Sequence, residues 1–389
     1  MSRVYDRTLK GGDTLLPRQQ ETIIAYHLDD RVSVDRFTEP SLRHFAESVL
    51  LALGATADEA RINADGVVTA SLWWHPGQGQ GLEKLFRYAR RMRNGGIRPA
   101  ASMRWVREGT ATALLDADKG LGYVAGRRAM DRAIEMARST GIAMVAVRHS
   151  NHFGIAGYHA KRAADAGLIG IAMTNAGAEM APWGSARPVL GTNPWGIAVP
   201  RGEGRGPILL DMALTQSGKG MMRWLQRAGL AMPEHWALTP DGARTTDPVA
   251  AMDGPLLPIG DYKGFGLSLV TDILTGVLTG SLFGGQVFQD DLDYDVAHTM
   301  IAIDTDAFMP RARFEERLEA LIAEVLAAPP VDPDRPVQLP GEAEQRRARE
   351  RLQRGIPVDR KTVAGLRELG AELGVPFSLE PRPLQTTEE

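Results

Sequence analysis

Cysteine is missing from all 389 residues. That one absence excludes disulfides, thiolate nucleophiles, iron–sulfur clusters and cysteine-ligated zinc together. Excess charge of either sign is missing too: 45 basic and 48 acidic side chains leave a net −3, so no nucleic acid and no membrane surface is expected as a partner. No run of about 18 apolar residues occurs, and the opening MSRVYDRTLKGGDTLLPRQQ has no apolar signal core. The expectation is a cytoplasmic protein. Histidine is scarce, with eight in the chain. Asp290, Asp291, Asp293 and Asp295 lack the glycine and closing glutamate of a calcium loop, and His298 stands alone, so no metal site is expected.

What remains is an ordinary core-forming composition, 43% hydrophobic, with 42 glycines placed as punctuation. Residues 1–33 are polar and weakly patterned and read as an extension. From Val34 to Ala70 the pattern is helical, with a start at Pro40-Ser41 and a cap at Thr56 followed by Asp58 and Glu59. Leu82–Arg93 is an amphipathic helix ended by Asn94-Gly95-Gly96. Residues 34–110 therefore form a helical region. Over 111–310 the rhythm is strand and helix: strands at 111–116, 142–148, 169–174, 194–199, 207–212 and 299–304, with helices at 124–138, 156–166 and 262–278. Residues 311–389 form a C-terminal helical region with a helix at 315–327. The fold class is α/β.

The densest signal is VRHSNHFGIAGYHAKRAADAGLIGIAMTNAGAEMAPWGSARPVLGTNPWGIAVP, residues 147–200. His152, at a strand end and before a helix start, can meet a flat ligand or an anion, or it can be a bonded structural histidine. His149 and His159 read as structural or exposed. Gly120-Leu121-Gly122 and Gly126 are spaced GxGxxxG, not GxGxxG, and no acidic residue closes the next strand, so they read as a turn and helix start. Trp73-Trp74-His75 before a glycine-rich loop suits a wall over a flat ligand, or a surface loop anchored by indoles. Asp211 ends a strand, where it can hold a ribose hydroxyl or cap a helix. Lys263-Gly264 opens an apolar helix, a seat for phosphate or a close packing contact.

Together, SNHFGIAGYHAKRAADAGLIGIAMTNA, APWGSARPVLGTNPWGIAVP, ILLDMA, YKGFGLSLVTDIL and LPGE resemble the malate/L-lactate dehydrogenase type-2 family. That family includes 2,3-diketo-L-gulonate reductase, ureidoglycolate dehydrogenase and Δ1-piperideine-2-carboxylate reductase. The resemblance implies a non-Rossmann NAD(P)-binding domain over residues 111–310, with a largely antiparallel sheet and smaller helical parts, in a homodimer. It implies an NAD(P)-dependent dehydrogenase that moves hydride between nicotinamide and C2 of a small 2-oxo or 2-hydroxy acid, or a cyclic imino acid. Thr192, Asp211, Met212, Ala213, Lys263, Gly264, Gly341 and Glu342 are the implied contacts of NAD or NADP.

The substrate side departs from the family pattern. His75, the implied proton donor, follows Trp74 instead of serine, and the link to the next motif is longer. With KLFRY set against the family's RLPRY, Lys84 stands where an arginine grips the substrate carboxylate, a point charge in place of a two-pronged fork. His152 is the alternative donor, and Trp73 and Trp74 are expected to narrow the substrate pocket. Two other readings use the same scaffold: a retained cofactor serving a non-redox step, and an inactive binding protein.

Overall fold

The computed structural model describes residues 33–74 and 78–382. The candidate donor His75 and nearly all of the extension lie outside the described residues. Val34–Phe37 is a strand, β1, where a helical pattern was expected. Its ladder partner lies near the other end of the chain, with Val34 opposite Asp359 and Phe37 opposite Ile356. Helix α1 (Glu39–Ala52) then starts on Thr38, whose hydroxyl accepts from the Ser41 amide. Pro40 sits in its first turn, where a missing N–H is harmless. Helix α2 (Ala57–Trp73) opens with a reciprocal cap: Thr56 accepts from the Glu59 amide, and Glu59 accepts from the Thr56 amide at 2.9 Å. Helix α3 (Lys84–Arg93) closes the first layer at Asn94.

Next come β2 (Arg104–Glu108), β3 (Thr112–Asp116), α4 (Gly122–Thr140), β4 (Ile142–Ser150), α5 (Ala156–Asp165), β5 (Ile169–Thr174), β6 (Trp195–Val199) and β7 (Ile208–Met212). Helices α6 (Lys219–Ala228) and α7 (Tyr262–Asp272) follow, the second running into a π-helical turn at Ile273–Val277. The chain ends in β8 (Val296–Ile303), α8 (Arg311–Leu326), α9 (Glu342–Arg354), β9 (Ile356–Asp359) and α10 (Arg360–Leu373).

Seven strands form one sheet in the order β2-β3-β4-β8-β5-β6-β7. Only β3 and β4 run parallel, and α4 is the crossover that parallel neighbours need. The protein is thus mixed α/β with a mostly antiparallel sheet, as expected. Helix α4 packs on β4 and β8, and α5 on β5 and β6, which buries both in the main core.

The glycine cluster before α4 is there for close approach. A Cβ on Gly122 would stand 2.3 Å from the carbonyl oxygens of Asn151 and His152, and one on Gly126 would stand 2.5 Å from the His159 ring. The glycines let α4 press directly onto the SNHFG segment. The acidic loop turns inward within the chain: Asp291 accepts from Arg90 and Asn94, and Lys119 pairs with Asp293.

Candidate active site

The site is built where β4 ends. Its register against β8 places Val147 opposite His298, and β5 places Thr174 opposite the same histidine. Thr174 spends its hydroxyl proton on the Ala297 carbonyl, so His298 Nδ1–H donates to it at 2.7 Å. His298 Nε2 then accepts from Ser150 Oγ at 2.9 Å. Phe153 stacks between His298 and His159, 4.7 Å from each ring. His159 donates from Nε2 to the Phe153 carbonyl at 2.8 Å. Burial pulls His159 down to about 4 and His298 down to about 3, so both are neutral packing groups. The structural reading of His159 holds. His149 is half-exposed, with Nδ1 3.0 Å from Asp116 Oδ2.

His152 lies apart from this stack. It lines a cavity of about 150 Å³ with Lys84, Arg87, Thr174, Glu179 and Thr192. Helix spacing explains the company: Lys84, Arg87, Tyr88 and Arg91 fall at i, i+3, i+4 and i+7 of α3 and share one face. Tyr88 Oη is 2.9 Å from His152 Nδ1. The phenol has no other acceptor among the described residues, so its proton goes to Nδ1 and leaves His152 as the Nε2–H tautomer. Burial lowers the His152 pKa well below its ordinary value, and the charges of Lys84 and Arg87 push the same way. Burial likewise raises the Tyr88 phenol. The site therefore holds a neutral imidazole in one tautomer.

Arg91 fixes the backbone beside it. Fully buried, it donates to Asn151 Oδ1 at 2.9 Å, to the Gly96 carbonyl at 2.7 Å and to the Asp291 carbonyl, and its guanidinium lies over the Tyr294 ring. Asn151 in turn donates to the Lys119 and Gly120 carbonyls. At Gly154, φ is +81° and a Cβ would collide with the Tyr123 ring, so only glycine takes the chain into α5 here.

Lys84 and Arg87 form no salt bridge among the described residues; Arg87 lies over the Phe288 and Tyr294 rings. Burial first, and then Arg87, lowers Lys84 to about 8. Asp211 accepts from the Gly157 amide of α5 at 2.9 Å, and burial raises its carboxyl to about 7. The Leu214 amide donates to the Thr192 carbonyl, and the Ile259 amide to the Leu214 carbonyl. This chain of bonds draws Thr192, the Asp211–Ala213 segment and the start of α7 together. Lys263 is exposed there, while Gly264 packs on Ile259, where a Cβ would meet its carbonyl oxygen at 2.4 Å. Gly341, at φ +92°, packs on Leu209 of β7, and Glu342 accepts from the Leu339 amide at 3.1 Å.

The structure thus gathers His152, Lys84 and Thr192 in one cavity and sets Asp211–Ala213 close by. It does not bring the tryptophans there. Trp73 packs in the main core, with its carbonyl bonded to Arg347. Trp74 lines a separate small cavity with Gln80 and Asp359, and its carbonyl accepts from Arg351 at 2.6 Å. Sequence reading missed Arg87, Tyr88 and Glu179. The first two were within reach through the i+3 and i+4 spacing from Lys84.

The sequence profile of the malate/L-lactate dehydrogenase family matches residues 37–367. Malate dehydrogenase from Pyrococcus horikoshii is 37% identical over 349 residues, covering 87% of this chain and 96% of that protein. The (2R)-3-sulfolactate dehydrogenase (NADP(+)) of Chromohalobacter salexigens is 37% identical over 313 residues, covering 79% and 90%. The structure of sulfolactate dehydrogenase from Methanocaldococcus jannaschii superposes with a TM-score of 0.82 at 32% identity, over 89% of this chain and 98% of that one. With fold and sequence in agreement, the chain belongs to the malate/L-lactate dehydrogenase family.

Proposed function

We propose that the protein is a cytoplasmic, homodimeric NAD(P)-dependent oxidoreductase that interconverts a small 2-oxo acid, or cyclic imino acid, with its reduced counterpart at the His152 cavity. One observation carries the reading. A neutral imidazole held in a single tautomer shares a small cavity with two cations, Lys84 and Arg87, that form no salt bridge among the described residues.

The residues fit a dinucleotide. Helix α5 starts beside the cavity; its N-cap residue Ile155 offers no side-chain acceptor, and among the described residues Asp211 takes the Gly157 amide, so the other first-turn amides suit an anionic group. Asp211 stands at that start as an acceptor for a ribose hydroxyl, Thr192 lines the cavity, Met212 and Ala213 continue the Asp211 segment, and Gly341, next to Glu342, packs on β7. Lys263 at the α7 start adds an exposed cation, and Gly264 lets that start sit close. This seat is not a Rossmann one, since the strands around it run antiparallel. When bound, the nicotinamide supplies or accepts the hydride at C2.

The chain's own groups do the rest. Lys84 holds the substrate carboxylate, and Arg87 adds a second positive charge beside it. Substrate carboxylate beside Lys84 favours the ammonium form and so offsets the cost of its burial. The Nε2–H of His152 donates toward the C2 oxygen as negative charge develops on it. His75, between α2 and α3 in the sequence, delivers the proton to that oxygen, with His152 as the alternative donor. The core-packed Trp73 and the Trp74 carbonyl, bonded to Arg351, fix the chain just before it.

Kinetics of His75→Ala and His152→Ala test this. His75→Ala is expected to lower kcat by about 10²–10⁴-fold, the usual contribution of a positioned acid, with cofactor Kd within twofold. Retained turnover in His75→Ala together with loss in His152→Ala would assign proton delivery to His152. Full activity in both would overturn the reading.

A further inference from the structure

A second cavity, of about 270 Å³, opens at the opposite end of β7, and the reading above uses only Glu342 of its lining. Arg201, Ile208, Pro340, Glu342, Arg346 and Arg349 line it. Arg201 is neutralised by a two-pronged pair with Glu319, at 2.9 and 3.0 Å. Arg346 and Arg349 are different. They lie at i and i+3 of α9, so they share a face, and they are exposed with no hydrogen bond or ion pair among the described residues. Two like charges set side by side, neither paired with an acid among the described residues, repel each other, an arrangement that a doubly charged anion relieves. Glu342 in the same cavity keeps its carboxylate near the Leu339 amide and offers an acceptor for hydroxyl groups.

The two cavities are linked by β7. At the first, the Leu214 amide joins the end of the strand to Thr192, which lines the His152 cavity. At the second, Ile208 begins the strand. Ile208 and Met212 are about 13 Å apart along extended chain, and both cavities reach beyond them. An extended dinucleotide with its nicotinamide beside His152 has its adenosine half at the second cavity.

We infer that Arg346 and Arg349 bind the 2′-phosphate of the adenosine ribose, so that the protein selects NADPH over NADH. This rests on the dinucleotide reading above and extends it to the choice between the two cofactors. Arginine pairs suit a phosphate dianion, and a free ribose hydroxyl gives them no charge to meet.

The test is equilibrium binding, without turnover. Titrations of the purified full chain would follow nicotinamide fluorescence for NADPH and NADH, and calorimetry for adenosine 2′,5′-diphosphate and adenosine 5′-monophosphate. The 2′-phosphorylated member of each pair is expected to bind at least tenfold tighter. In Arg346→Ala/Arg349→Ala that ratio should fall to within twofold of one, with NADH affinity unchanged. Both side chains are exposed, so the variant should fold, and an unchanged melting temperature checks this. Equal affinity for the two dinucleotides, or a variant that weakens both alike, overturns the arginine assignment and leaves the dinucleotide reading standing. Binding of neither dinucleotide overturns both.

Discussion

At the scale of single residues, the tautomer of His152 rests on one bond, from Tyr88. Tyr88→Phe is expected to keep the fold, because ring and shape are preserved, and to lower kcat by about 10–100-fold as the imidazole loses its fixed donor. The pH profile separates this from a packing defect: the variant's activity should shift along the pH axis as well as fall. Asp211 yields a stability prediction. Its folded pKa of about 7 lies above the usual carboxylate value, so between about pH 4 and 7 the folded state holds a proton that the unfolded state has lost. Stability from this group is therefore present at low pH and is lost as pH rises through 7. Asp211→Asn, whose carbonyl still accepts from the Gly157 amide, should melt like the parent near pH 4. It should melt progressively higher than the parent up to pH 7, with a constant gap above. A gap that narrows with rising pH would contradict the burial argument.

At the scale of elements, α3 is the clasp of the site. One face of it sends Lys84 and Arg87 to the cavity, Tyr88 to His152 and Arg91 to Asn151. Arg91→Ala would leave Asn151 and two backbone carbonyls without their donor in a buried place. The expected cost is about 2–4 kcal/mol, read as a lower denaturation midpoint with an unchanged slope. Much of this was legible from local pattern. The Thr56 cap, the amphipathic spacing of KLFRYARRMR and the period-two strands each depend on residues a few positions apart. What was not legible is non-local. Val34–Phe37 carries no strand signal of its own and is one because β9 pairs with it. Tyr88 meets His152 across 64 positions, which spacing on α3 alone cannot show. Trp73 and Trp74, conspicuous beside a histidine in sequence, face the core and a separate cavity because α2 ends with its apolar side turned inward.

At the scale of the whole molecule, the described surface carries an apolar band along α7 and its π-helical turn. Leu267, Leu269, Val270, Ile273, Val277 and Leu278 are all exposed there. Contiguous apolar surface of this kind is what a subunit contact covers. Light scattering on the eluting protein should give twice the 42.2 kDa chain mass, and Val270→Glu/Ile273→Glu should give the single mass. A parent that elutes as a monomer would remove the homodimer from the proposal. Among the described residues no helix is long and apolar enough to cross a membrane, so a membrane-spanning helix is no competing use for this band.

The β1–β9 ladder also sets a clock. Arg36 and Gly355, bonded across it, are 319 positions apart, so at about 5–20 residues per second the first strand waits roughly 15–60 s during synthesis for its mate. Throughout that interval Leu42, Phe45 and Val49 of α1 have no finished shelter. The two ends of the chain therefore close this part of the core together, after nearly all of the sequence has been made.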